Sequence, residues 1–436
     1  MLRVQHWATM TAADKLWLER RGAAGELSDE LRESIAALVA DVRNRGDAAL
    51  CDALAKFDGV ECDAAGLRVS DDEFAAARAA VSPELLVAIR QMLANIRRFN
   101  EELQSRRTSW QTEIAPGHIV GEQIGPIASA ATFCPSGKAS YPSVLAQVAS
   151  GAVVAGVPEI VVIVPPVPGA GGPVDPAVLV VADELGLRNV FRVNGPAGVA
   201  AAAFGTETIP KVAKVVGPGS PPVSLAQLEV RRFGTDSVVL GPSESLVIAD
   251  DSVDIDLLAA DLLNEAEHGT DGTILLVTPH EELIAPVTAA LNAQAAELPA
   301  ERREATEASL GPNGGAIVVR DLDEALEVAN WFAPEHLQLA TAEAVSQVER
   351  ITDAGEILVG QTTPLSAGNF CLGAPAALPT GGFARQSGGI TVETFLKATS
   401  IGSLTALALD KIAASVIALA DHEGFPAHAN AIHLRR

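Results

Sequence analysis

Strand and helix signals alternate through the middle of this chain, and that alternation restricts the fold more than any other feature. The run Ile160-Val-Val-Ile-Val164 is apolar and β-branched throughout, as expected of a strand buried on both faces of a parallel sheet. Helical spacing follows from Val178 to Leu185, stopped by Gly186, and a further strand is predicted at Val190-Phe-Arg-Val193. Strand, helix, strand in this order implies βαβ units around a parallel sheet. A second set of strands is predicted at Leu246-Val-Ile-Ala249, Ile274-Leu-Leu-Val-Thr278, Ala316-Ile-Val-Val319 and Glu356-Ile-Leu-Val359, again with helices between them. The expected class is α/β: two Rossmann-like parallel-sheet domains, similar enough in construction to suggest an internal duplication, with an N-terminal helical layer and a short helical C-terminal tail.

The boundaries follow the changes of texture. Residues 1–113 together with 243–390 are assigned to a first α/β domain that includes the N-terminal helices, 114–242 to a second, and 391–436 to the tail. In the helical layer Ile35, Leu38, Val39 and Val42 recur at helix spacing up to a break at Gly46. Ser82-Pro83-Glu84 supplies an N-cap, a proline at N1 and a first-turn acid for a long helix. A tail as short as Asp421 to Arg436 cannot fold alone, so it is expected to dock on its own chain or on a partner. Aromatic residues are only 4% of the chain, so the core must be built from Ala, Val, Leu and Ile. The formal charge of −24 argues against a nucleic-acid groove and against binding to anionic membranes. No apolar run approaches the roughly 18 residues of a membrane span, and the start has no signal-peptide pattern, so a cytoplasmic location is expected. Cys51, Cys62, Cys134 and Cys371 form no CxxC pair and read as buried small hydrophobes in a reducing compartment.

Chemistry concentrates in a few places. In Asp261-Leu-Leu-Asn-Glu265-Ala-Glu267-His268 the i, i+3 spacing puts Glu265 and His268 on one helical face, where carboxylate and imidazole make half a zinc site. The same pair is also the ordinary content of a solvated helix end. Its weight comes from Phe332-Ala-Pro-Glu335-His336, Ala367-Gly-Asn369 and Glu423-Gly-Phe-Pro-Ala-His428 further on. Glu335 and His336, adjacent on a loop, can face one cleft, with the imidazole as general base and the acid activating water; an isolated Glu-His pair is otherwise structural. Neither GxGxxG nor GxxxxGK[ST] occurs, and the glycine-rich stretch Gly381 to Gly389 fits neither, so no phosphate-binding motif argues for a nicotinamide cofactor. Ligands are expected beyond the strand ends at Asn194-Gly195-Pro196 and Val215 to Ser220.

The segments Asp41 to Leu50, Phe204 to Lys211, Lys214 to Gly219, Gly241 to Glu244, Asp261 to Gly269, Ala333 to His336, Leu378 to Gly382 and Glu423 to His428 carry a resemblance. In this order they resemble the histidinol dehydrogenase family along nearly the whole chain. The resemblance implies an NAD-dependent, zinc-requiring, four-electron oxidation of an amino alcohol through an aldehyde to the amino acid, in a homodimer. It implies His336 as base, Glu335 as water activator, and Glu265, His268, Asn369 and His428 around the metal. Ser243 and Glu423 match substrate contacts, and the tail bearing Glu423 and His428 comes from the other subunit.

Departures from the family accompany the match. Glu265 stands where the family has glutamine and Asn369 where it has aspartate, an exchange that keeps two imidazoles and one negative ligand. A substrate-contacting histidine falls at Ala376. Around the cofactor an aromatic hydroxyl falls at Phe133, a glutamine at Ala197 and an asparagine at Ser220, which leaves Lys138, Tyr141 and Arg385 as the nearby groups that could serve instead. The expected substrate is a primary alcohol, L-histidinol or a related small polar alcohol. A sulfonated propanediol is the enzymatic rival, and a turnover-deficient, metal-dependent binding protein is the rival of another class.

Overall fold

The computed structural model describes residues 2–21, 28–136, 141–238 and 241–436; Lys138 lies outside them. The strands in chain order are β1 (Val4–His6), β2 (Trp110–Ala115), β3 (His118–Pro126), β4 (Ser129–Phe133), β5 (Glu159–Val164), β6 (Val190–Arg192), β7 (Lys214–Val216), β8 (Asp236–Val238), β9 (Glu244–Ala249), β10 (Thr273–Thr278), β11 (Gly315–Val318), β12 (His336–Ala340), β13 (Glu356–Val359) and β14 (Leu396–Leu404). Five of them form a parallel sheet in the order β6-β5-β4-β7-β8. Six more form a second parallel sheet, β1-β11-β10-β9-β12-β13. Setting aside the edge strand β1, both sheets follow the same doubly wound order, reversing between β4 and β7 in one and between β9 and β12 in the other. The duplication expected from sequence is therefore present as topology.

Burial explains the strand signals. Every residue of β9 and β10 is buried, and β5 is buried after its first residue, because helices cover both faces. Local chemistry sets the helix ends: Ser82 Oγ accepts from the Leu85 N–H to open Pro83–Arg106. Gly46, at φ 56, separates Asp29–Arg45 from Asp47–Ala53 at a point where a Cβ would meet Glu207.

Three expectations are corrected. The helices between residues 29 and 106 pack on the five-stranded sheet, with Val39, Leu50, Ile89 and Ile96 in its two cores, and among the described residues before them it is 2–21 that join the 243–390 segment. An apolar helix face fits any complementary helix layer, so its sequence position does not say which sheet it covers. The segment after residue 391 is not helical throughout: β14 runs antiparallel to β3, which pairs with β2 in a third sheet, before the helices Ala406–His422 and Pro426–His433. Among the cysteines only Cys134 is fully buried; Cys51, Cys62 and Cys371 are partly exposed. Among the described residues no helix is long and apolar enough to cross a membrane.

Candidate active site

A cavity of about 630 Å³ opens where the two sheets face each other. One wall comes from the carboxyl ends of β4 and β7, through Pro135, Tyr141 and Pro218. These two loops approach so closely that a Cβ on Gly217, at φ 140, would stand 2.2 Å from the Phe133 carbonyl oxygen, a position open only to glycine. The opposite wall comes from the amino ends of β9 and β12. The five-stranded sheet thus obeys the carboxyl-end rule for open sheets, and the six-stranded sheet lends its other end.

Ser243, Glu265, His268, Glu335, His336 and Asn369 all line this cavity. Helix Ile255–Ala266, capped by Asp254, carries Glu265 in its last turn with His268 just beyond, and helix Leu365–Phe370 brings in Asn369. Glu265 is 1% exposed. Its Oε2 lies 2.8 Å from His268 Nδ1, and its Oε1 accepts from Asn369 Nδ2 at 2.5 Å and Asn264 Nδ2 at 2.9 Å. Burial alone would raise this carboxyl, but the imidazoles of His268 and His336 and these hydrogen bonds hold it down to about 2.

The second pair lies where helix Leu322–Phe332 ends. Ala333 takes a left-handed conformation, φ 53, and turns the chain through Pro334 into Glu335. His336 does not sit on a loop, as expected from its proline neighbour, but opens β12 between β9 and β13. Its Nε2 is 3.8 Å from Glu335 Oε1, and its Nδ1 is 3.1 Å from Glu356 Oε1. Burial pushes Glu335 up to about 8. Burial would lower His336, but the carboxylates of Glu265, Glu335 and Glu356 outweigh it and raise the ring to about 10. Glu335 is anchored from behind: the Glu244 N–H donates to its Oε2 at 3.0 Å, and the buried Arg21 guanidinium grips Glu244 at 3.0 and 3.2 Å.

The remaining expected residues divide. Ala376 and Tyr141 line the cavity, whereas Arg385 is exposed and bonded to the Trp331 and Gly382 carbonyls. Ser220 lines a second cavity of about 570 Å³ with Asn194 and Pro196, bounded by helices Asp29–Arg45 and Asp47–Ala53. Phe133 and Ala197 line neither cavity and are 2% and 0% exposed. As apolar residues they fill the interior, Phe133 beneath Gly195 and Ala197 within helix Gly195–Phe204. Glu423 and His428 are exposed on the tail, His428 beside Phe425, and neither lines the cavity of its own chain.

The histidinol dehydrogenase family model matches residues 22–436. A histidinol dehydrogenase of Thermosynechococcus vestitus is 39% identical over 436 residues, covering 100% of this chain and 99% of that protein. A histidinol dehydrogenase homolog of Cereibacter sphaeroides is 40% identical over 427 residues, covering 98% and 96%. The crystal structure of histidinol dehydrogenase from Elizabethkingia anophelis superposes with a TM-score of 0.92 at 30% identity, covering 100% of this chain and 98% of that one.

The chain belongs to the histidinol dehydrogenase family. It is accordingly an oxidoreductase by descent, and Glu265 and Asn369 lie inside a histidinol dehydrogenase fold. Among the described residues no three His, Cys, Asp or Glu side chains gather as a metal group. Glu265, His268 and Asn369 do gather, so one chain offers a carboxylate, an imidazole and an amide, donors that suit zinc. Asn369 turns its Nδ2 towards Glu265, and binding a metal through Oδ1 requires the amide to turn over. Sequence reasoning missed Glu356, which meets His336 only through strand register, and Arg302, which lines the cavity and donates Nη1 to the Glu267 carbonyl at 2.8 Å. Neither lies in a motif that would have marked it.

Proposed function

We propose that this protein oxidises a primary alcohol through the aldehyde to the carboxylate, with NAD as oxidant and zinc as resident metal. The observation that carries the reading is the convergence of Glu335 and His336 with Glu265, His268 and Asn369 on one cavity between two doubly wound sheets. His336, in the neutral form that its raised pKa places in alkaline solution, accepts the hydroxyl proton of the alcohol, and bound NAD would supply the acceptor for the hydride. Water then adds to the aldehyde, losing its proton to Glu335, a carboxylate made more basic by burial. The hydrate so formed would become the acid on loss of a second hydride to bound NAD. Zinc held by Glu265, His268, Asn369 and His428 of the partner subunit would grip and orient the substrate's polar end. The cavity beside Ser220, beyond the carboxyl ends of β6 and β7, supports dinucleotide binding there.

A homodimer is part of this reading. Leu407, Leu419, Phe425 and Leu434 on the tail helices are 49–78% exposed, which supports docking on a second copy that brings Glu423 and His428 to its cavity. The site carries no histidine at Ala376, yet Arg302 reaches it, and this cation favours an alcohol with an anionic head, such as a sulfonated diol, as second reading. Incubation with NAD and a panel of amino alcohols, L-histidinol included, and sulfonated diols, followed by NADH absorbance, separates the two. NADH from no member of the panel, with zinc still bound, would replace both with the metal-dependent binding protein.

A further inference from the structure

We propose that Glu356 is a positioning residue that fixes His336 in the one tautomer able to act as base. The proposal rests on the reading of His336 as that base and adds a partner which the family resemblance did not supply. In the parallel pairing of β12 and β13, His336 and Glu356 are register partners, so twenty residues of separation collapse to side-by-side positions. Glu356 Oε1 stands 3.1 Å from His336 Nδ1, with the two side chains only 5% and 3% exposed. Room for the carboxylate comes from Gly368, where a Cβ would lie 2.5 Å from Oε1. The backbone adds a tie, the Glu356 N–H donating to the Glu335 carbonyl at 3.0 Å.

The other oxygen shows what this carboxylate is for. Glu356 Oε2 is buried and has no hydrogen-bond partner among the described residues. A buried acceptor left unpaired costs stability, and a group kept only for packing would be apolar like its neighbour Leu358. Among the described residues, the polar side-chain contact that Glu356 makes is to the imidazole. A neutral ring has a single N–H, and the hydrogen bond at one nitrogen decides which nitrogen is free. With Nδ1–H donated to Glu356, Nε2 is the acceptor; at 3.8 Å from Glu335 it is too far away to be occupied by that carboxylate. When the hydroxyl proton moves to Nε2, Nδ1 keeps its own proton, and its hydrogen bond to Glu356 Oε1 gains the charge of the imidazolium.

Two readouts test this, one of them independent of turnover. In protein labelled with [15N]histidine, the wild type should show a low-field ring N–H signal that disappears in His336→Asn, disappears in Glu356→Ala and persists in Glu356→Gln, whose amide oxygen still accepts. A signal that survives Glu356→Ala, or that the wild type lacks, overturns the proposal. With the best alcohol of the panel, Glu356→Ala should lower kcat on the order of 10- to 100-fold with KM within about twofold, and Glu356→Gln should recover most of the loss. Unchanged kcat in Glu356→Ala, or loss confined to KM, also overturns it. Should Glu356→Ala not fold, Glu356→Met of similar volume takes its place. If no alcohol is oxidised, the proposed function fails while the ring signal still decides the role of Glu356.

Discussion

Replacing Glu265 with glutamine should separate the electrostatic work of this carboxylate from its packing. The side chain is 1% exposed, its oxygens engage His268, Asn369 and Asn264, and the field around it lowers its pKa from 4.5 to about 2. Such a depression corresponds to roughly 3 kcal/mol of stability in the metal-free protein. Because the folded value is the lower one, this contribution is complete above pH 4.5 and is lost as pH falls through about 2. Glutamine does not titrate. Urea unfolding in the presence of chelator should therefore find Glu265→Gln less stable by roughly 3 kcal/mol at pH 7, with the gap closing below pH 4.5. An equal midpoint at pH 7, or a gap that persists into acid, would refute the argument. Zinc content from elemental analysis extends the test: Glu265→Gln alone leaves no anionic ligand and should lose metal, whereas Glu265→Gln with Asn369→Asp should regain it. Stoichiometric zinc in the single variant would show that the negative ligand lies elsewhere.

His336→Asn should lower turnover by roughly 10²–10⁴-fold while zinc content stays at the wild-type level, and near wild-type NADH production would remove the ring from the mechanism. Glu335→Gln should still reduce NAD from the alcohol but oxidise added aldehyde poorly; equal loss on both substrates would contradict the division of labour. Truncation after Ala420 removes Glu423 and His428, so metal content and dimer mass should fall together in elemental analysis and light scattering, and a truncated protein that keeps both would exclude the tail from the site. Arg302→Leu should reduce kcat/KM for sulfonated diols about tenfold or more relative to uncharged alcohols, and an unchanged ratio would remove the cation from substrate selection.

The fold was legible where burial leaves a local trace. Ile160 to Val164 reads as a strand because helices cover both of its faces, and Ser82-Pro83 reads as a helix start because the cap is made by neighbours in sequence. Glu265 and His268 were legible together for the same reason, being one helical turn apart. What escaped depends on contacts distant in sequence. The packing of the 29–106 helices on the five-stranded sheet, the placement of Glu335 and His336 at the amino end of the other sheet, and the meeting of His336 with Glu356 are set by strand order and register. Phe133 and Ala197 fall between the cases: their positions could be matched to cofactor contacts, but their apolar side chains turn inward, which only packing reveals.

The strand pairings near the two chain ends bear on how the protein is made. Val4 of β1 waits for Ala316 of β11, and β3 waits for β14, with Leu404 closing on His118. Each wait spans about 300 residues, roughly 15–60 s of synthesis at 5–20 residues per second. Throughout that time β3 has an unpaired edge, the kind of template on which nascent chains associate. Fragments released early from the ribosome lack β14 and keep that edge open, so separate expression of either half should give material prone to aggregation.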